Sequence, residues 1–165
     1  MATITLGGNP IHTSGELPKV GTKLADFKLV KEDLSIATLA DFSNTKLLLN
    51  IFPSVETGVC SAALRKFNEI ASGLNNTKVL CISRDLPLAQ KRFCASEGLK
   101  NVINLSDFNT ADFGKDNGLL ILDGTFAGLL SRSVIVVDEN GVITYTELVP
   151  EIAHEPNYEA ALAVL

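Results

Sequence analysis

KLLLNIFPSVETGVCSAALRKF, residues Lys46–Phe67, changes character twice. KLLLNIF is an apolar run rather than an alternating one, and it stops at Pro53. That is the pattern of a strand covered on both faces. From Gly58, Val59, Ala63, Phe67 and Ile70 recur every three or four residues, the spacing of a helix face. A polar, turn-like link separates the two, and Cys60 sits where the link becomes helix. Thr57, a hydroxyl residue just ahead of the helical period, is the expected N-cap, which places Cys60 at N3 in the first turn. There the unpaired backbone N–H groups and the positive end of the helix dipole favour a thiolate over a thiol. A reactive thiol is one reading of that position. A small apolar residue that lands beside a cap is the other.

Working outward, ATITL and PIHT flank GGN and read as a hairpin at the N-terminus. SGELPKVG links this to a short strand at 26–30, and SIATLADF is a second short piece. Downstream, KVLCIS (Lys78–Ser83) repeats the buried-strand pattern. LPLAQKRFCASEG reads as a helix with Leu86, Ala89 and Phe93 on its face and Gly98 as C-cap. NVINLS is a short strand, and Asn109–Lys115 one or two helical turns. SRSVIVVDENGVITYTELV is a hairpin around Asn140-Gly141, and EPNYEAALAVL a closing helix with Pro156 near its start. Parallel crossovers followed by an antiparallel hairpin predict an α/β, thioredoxin-like fold. It has a mixed central β-sheet flanked by helices, with an N-terminal β-hairpin. The length of 165 residues predicts a single domain spanning 1–165.

Composition narrows the function. The net charge of −5 and pI near 5.0 argue against a nucleic-acid binder and against a surface built for anionic lipid. No apolar run approaches the roughly 18 to 20 residues of a membrane span. The opening MATITLGGNPIHTSG lacks the basic and apolar regions of a secretory signal peptide, so a cytoplasmic location is expected. Three cysteines make no disulfide scaffold and contain no CxxC pair. His12 and His154, the only histidines, lie near opposite ends, so no zinc site is expected.

PSVETGVC fits the pattern P-x-x-x-T-x-x-C through Pro53, Thr57 and Cys60. In this strand–loop–helix setting it resembles the active-site loop of the peroxiredoxin family. The longer run PSVETGVCSAALRKFN resembles its atypical two-cysteine thiol peroxidase branch, and RSVIVVDENGVITYTELVPEI extends the likeness towards the C-terminus. The resemblance implies a thioredoxin-dependent peroxidase acting on hydrogen peroxide and organic hydroperoxides, with no metal or other cofactor. Cys60 would be the peroxidatic cysteine and pass through a sulfenic acid. Thr57 would order sulfur and peroxide, and Pro53 would fix and shield the loop. Arg132, at the mouth of an apolar strand, would stabilise the thiolate and the developing oxyanion. By residue type alone, Pro53 equally ends a strand and Arg132 is a solvated edge charge. A homodimer is implied by resemblance only.

Cys94 lies near a helix end beside Lys91 and Arg92, which should favour its ionisation and leave it partly accessible. In the resembling branch the resolving cysteine occupies this helix of the same subunit, which implies an intramolecular Cys60–Cys94 disulfide. Cys81, within KVLCIS, reads as a buried structural thiol. A disulfide needs Cα atoms within about 7 Å, so both cysteine segments are expected to loosen during the cycle. Arg65, Lys66, His12 and His154 read as surface residues. The apolar stretch DGTFAGLLS hints at a rim for alkyl or lipid hydroperoxides. The alternative from another class is a peroxide-responsive redox sensor, switching a partner with the same disulfide. A CxxC-type oxidoreductase lacks its motif, and a cysteine hydrolase lacks a nearby histidine base.

Overall fold

A computed structural model describes residues 1–165. The chain opens with β1 (Thr3–Leu6) and β2 (Asn9–His12), an antiparallel hairpin in register Ile4 to Ile11. Its turn needs two left-handed residues, which Gly7 (φ 58°) and Gly8 (φ 83°) provide. β3 (Lys28–Lys31) and β4 (Ile36–Thr38) follow, then a 3₁₀ turn at Leu39–Phe42. Next comes a double crossover: β5 (Lys46–Ile51), α1 (Gly58–Ala71), β6 (Thr77–Ser83), α2 (Pro87–Glu97) and β7 (Val102–Ser106). A short α3 (Asp112–Asp116), β8 (Ser133–Val137), β9 (Ile143–Leu148) and α4 (Tyr158–Leu162) complete the chain.

The main sheet has the order β4-β3-β7-β6-β5-β8-β9. β5/β6 and β6/β7 are parallel and the other pairs antiparallel, so the sheet is mixed, as the element order predicts. The thioredoxin-like expectation holds, N-terminal hairpin included. At the β8–β9 turn Asp138 Oδ1 accepts from the N–H groups of Asn140 and Val142.

β5 lies inside the sheet, between β6 and β8, and both its faces are largely apolar. Leu47, Leu49 and Ile51 pack with Leu80, Ile82, Leu105 and Ile135 on one side, under Phe27, Phe42 and Phe113. Leu48 faces the other side with Val79, Cys81, Val134 and Val136, and α1 seats Cys60, Leu64 and Phe67 there. Phe67 is fully buried and meets the Tyr158 ring edge-on at 5.1 Å. Truncating such a ring to alanine typically costs about 3–5 kcal/mol, so Phe67 is a principal anchor of α1, and its ring contact ties that helix to α4.

Both helix faces differ from the expected ones. On α1 the buried set is Cys60, Ala63, Leu64 and Phe67, while Val59 and Ile70 are half-buried. On α2 the buried residues are Pro87, Gln90 and Cys94, and Leu86, expected inside, is 58% exposed. The reason is Gln90. Its Nε2 donates to Leu105 O at 2.9 Å and to Ser83 Oγ at 3.0 Å, so the amide goes under the helix and the leucines turn outward. The C-cap at Gly98 is left-handed (φ 68°), as expected. The last helix begins at Tyr158, with Pro156 near its start as expected and Asn157 accepting from Ala160 N–H as its cap.

Candidate active site

Pro53 is buried where the chain leaves β5, and the link behind it turns straight into α1. Thr57 is the N-cap. Its backbone is extended (φ −91°, ψ 143°), and its Oγ1 accepts from Cys60 N–H at 3.3 Å while donating to Ser54 O at 3.3 Å. Cys60 therefore occupies N3, and its thiol points inward, with no exposed surface. Sequence position and tertiary position agree here because capping is a local interaction.

Arg132 arrives from the far side, immediately before β8. β8 is paired antiparallel to β5, so its start lies beside the end of β5, where the Cys60 loop begins. Only 1% of Arg132 is exposed, so it is no solvated edge charge. Its Nη2 donates to Cys60 Sγ at 3.2 Å and its Nε to Ile152 O at 2.7 Å, while Nη1 is buried without a partner. Arg132 makes no ion pair with a carboxylate: the two pairs in the molecule are His12–Asp123 and Arg65–Glu97. A buried guanidinium facing a sulfur and a carbonyl is a strong field for an anion at that sulfur.

The N-terminal hairpin holds this arginine in place indirectly. Ile152 N–H donates to Thr5 O at 2.9 Å, and Glu151 accepts from Ala153 N–H, Gly8 N–H and Thr5 Oγ1. Those backbone bonds, Ala153 first and then Gly8, bring the Glu151 carboxyl down to about 2.

Cys94 sits in the same apolar cluster as Cys60 and Cys81, and all three are unbridged. Its surroundings correct the sequence expectation. It is 5% exposed rather than partly open, and Lys91 and Arg92 lie on the outer face. Burial pushes the Cys94 thiol up. Asn104 Nδ2, donating to its sulfur at 2.9 Å, opposes this, and the charges of Glu32 and Glu97 add to the rise. Cys81 is wholly buried and burial pushes it much further up, as a structural thiol requires.

The sequence reading missed the polar groups around these thiols. Asn104 stands opposite Cys81 on the neighbouring strand and also donates to Glu32 Oε1 at 2.8 Å. Asp85, in the turn after β6, receives Ser54 Oγ at 2.7 Å and Val55 N–H at 2.9 Å from the Cys60 loop. Asn104 had a visible signal, a polar residue inside the apolar strand VINLS, whereas Asp85 had none. Arg65 and Lys66 are exposed, with Arg65 reaching Glu97 at 3.2 Å; His154 is exposed, and His12 is half-buried against Asp123. Phe126 and Leu129 of DGTFAGLLS pack on the cluster formed by Ile4, Ile11, Ile121 and Ile152. No group of residues could hold a metal ion, and no helix is long and apolar enough to cross a membrane.

Comparison with known proteins agrees with this geometry. The Redoxin family model matches residues 19–162. A thiol peroxidase of Corynebacterium glutamicum is 56% identical over 165 residues, covering 100% of this chain and 99% of that protein. One from Mycobacterium bovis is 53% identical with the same coverage. Among solved structures, a peroxiredoxin-like protein from Aquifex aeolicus superposes with a TM-score of 0.92 at 39% identity, over 99% of this chain and 96% of that one. The thiol peroxidase from Chromobacterium violaceum gives 0.92 at 25% identity, over 99% and 95%. With a thiol at N3 of the crossover helix, a buried arginine on its sulfur and full-length likeness of this order, the chain belongs to the Redoxin family, in its thiol peroxidase branch.

Proposed function

We propose that this chain reduces hydrogen peroxide and organic hydroperoxides, with Cys60 as the attacking thiolate and Cys94 as the resolving thiol. The observation that carries the reading is Arg132 Nη2 on Cys60 Sγ at 3.2 Å, in a buried site with no carboxylate to neutralise the guanidinium. A thiolate is the anion that site accommodates. It attacks the terminal peroxide oxygen, the O–O bond breaks, and the alcohol or water leaves with a proton, producing Cys60 sulfenic acid. The unpartnered Arg132 Nη1 is the donor available to the peroxide oxygen, a placed charge of the kind that stabilises a developing oxyanion. Thr57 keeps the first turn capped, and Pro53 removes an N–H and stiffens the loop.

Cys94 then condenses with the sulfenic acid: an S–S bond forms, the S–O bond breaks, and water leaves with the Cys94 proton. Both sulfurs are buried when reduced, so the first turn of α1 and the last turn of α2 loosen for the disulfide to form and for an external dithiol to reach it. Thioredoxin is the electron donor of this reading, the working unit is a single domain over residues 1–165, and a homodimer is the assembly.

Steady-state peroxide consumption with thioredoxin, its reductase and NADPH tests it, on wild type and on Cys60→Ser, Cys94→Ser and Cys81→Ser. Turnover disappears in the first two and persists in the third. One stoichiometric oxidation without turnover would establish the sensor instead, and loss at Cys81 rather than Cys94 would replace the resolving thiol.

A further inference from the structure

The two cysteine segments are joined by a continuous hydrogen-bond chain that the chemistry above does not use. Asp85 Oδ1 receives Ser54 Oγ at 2.7 Å, and Oδ2 receives Val55 N–H at 2.9 Å and Ser83 Oγ at 2.7 Å. Ser83 Oγ in turn accepts from Gln90 Nε2 at 3.0 Å. Gln90 lies one helical turn before Cys94 on the same buried face of α2. At the other end, Ser54 O accepts from both the N–H and the hydroxyl of Thr57, the cap beneath Cys60.

No cation neutralises Asp85. The neighbouring Arg84 is turned away onto the carbonyls of Asp107, Phe108 and Gly128. The carboxylate is compensated by neutral donors alone, and two of the three belong to the Cys60 loop. Moving that loop therefore strips the carboxylate of its partners, while the Gln90 carbonyl Oε1 is already buried without one. Such a group holds the loop firmly while seated and gives it up in one step.

We propose that Asp85 is a positioning residue that latches the Cys60 loop to the Cys94 helix and sets the balance between peroxide attack and disulfide closure. The proposal rests on the Cys60–Cys94 reading. With the latch closed, the cap is intact and the thiolate is held at Arg132. With it open, the sulfenic sulfur reaches Cys94 and water departs as the S–S bond forms. A sulfenic acid held in the closed state is exposed to a second peroxide, which converts it to sulfinic acid.

Asp85→Asn keeps the volume but removes the charge that strengthens both loop bonds, leaving at most neutral hydrogen bonds in their place. Losing a hydrogen bond to a charged group changes an equilibrium by roughly tenfold or more. Single-turnover measurement of Cys60 oxidation, with mass spectrometry of the products, reads the balance. We expect disulfide closure to speed by up to that factor, and oxidation by hydrogen peroxide to slow only in proportion to the closed fraction lost. The peroxide concentration that yields half sulfinic acid at Cys60 should rise, because closure outruns the second oxidation. Ser54→Ala, which removes a single loop donor, should shift these quantities in the same directions by less, and it serves if Asp85→Asn does not fold. Both steps slowing together, neither changing, or sulfinic acid forming more readily would overturn the latch. If wild type makes no Cys60–Cys94 disulfide at all, the resolving role of Cys94 falls and the latch with it. If wild type makes it and the variants partition as wild type does, the latch alone falls.

Discussion

Cys60 and Cys94 share one apolar cluster, yet their immediate surroundings are opposite in sign. Cys60 stands in the first turn of its helix, at the positive end of the dipole, with a guanidinium on its sulfur. Cys94 stands in the last turn of its helix, at the negative end, among Glu32 and Glu97, with only the Asn104 amide to favour its thiolate. Similar burial thus leaves a cation on one sulfur and carboxylates near the other. In the proposed cycle the thiol beside the guanidinium meets the peroxide and the other closes the disulfide.

The largest expected effect comes from removing the charge on the attacking side. Arg132→Met should lower the rate of peroxide reduction by roughly 10²–10³-fold, the usual loss when a placed oxyanion donor is deleted. Its melting temperature should fall only modestly, since Ile152 O loses its partner but no carboxylate is left unpaired. Retained activity would make Arg132 a structural residue and erase the contrast between the two sites.

On the waiting side, alkylation of Cys94 in a Cys60→Ser background should show a titration midpoint above the ordinary 9.0, and Asn104→Leu should move it higher still. The folded value lies above the unfolded one. The associated stability is therefore complete below about pH 9 and is lost as pH rises through the folded value. A midpoint at or below 9.0 would mean that burial and the nearby carboxylates do not govern Cys94.

Smaller again is the cap. Thr57→Ala removes the bond to Cys60 N–H and should cost about 1 kcal/mol of stability, read by urea unfolding. Its peroxide rate should fall more than a structural loss of that size explains, because the first turn carries the nucleophile. Cys81→Ser should leave turnover nearly unchanged, while the buried hydroxyl lowers thermal stability.

Much of the site was legible because it is local. The P-x-x-x-T-x-x-C spacing sets strand end, cap and first turn within eight residues, and the interactions that decide them span three residues or fewer. The mixed sheet was legible from the order of buried strands and helical periods, which chain connectivity and strand handedness allow few ways to assemble. What lay beyond reach was long-range. Leu86 and Ala89 looked like the inner face of α2 until Ser83 and Leu105 O, from two different strands, gave the Gln90 amide partners inside. Lys91 and Arg92 looked like neighbours of the Cys94 sulfur, although a helix sends adjacent residues to different faces. Asp85 carries no motif, since its role lies in bonds to residues about thirty positions earlier.

By itself, the sequence determined that Cys60 begins a helix behind a buried strand, because capping and periodicity act along the chain. Tertiary structure decided how closely each sulfur is approached and by which groups. Arg132 and Asn104 reach their thiols across the sheet, and burial there sets electrostatic strength through a dielectric environment that no local pattern encodes.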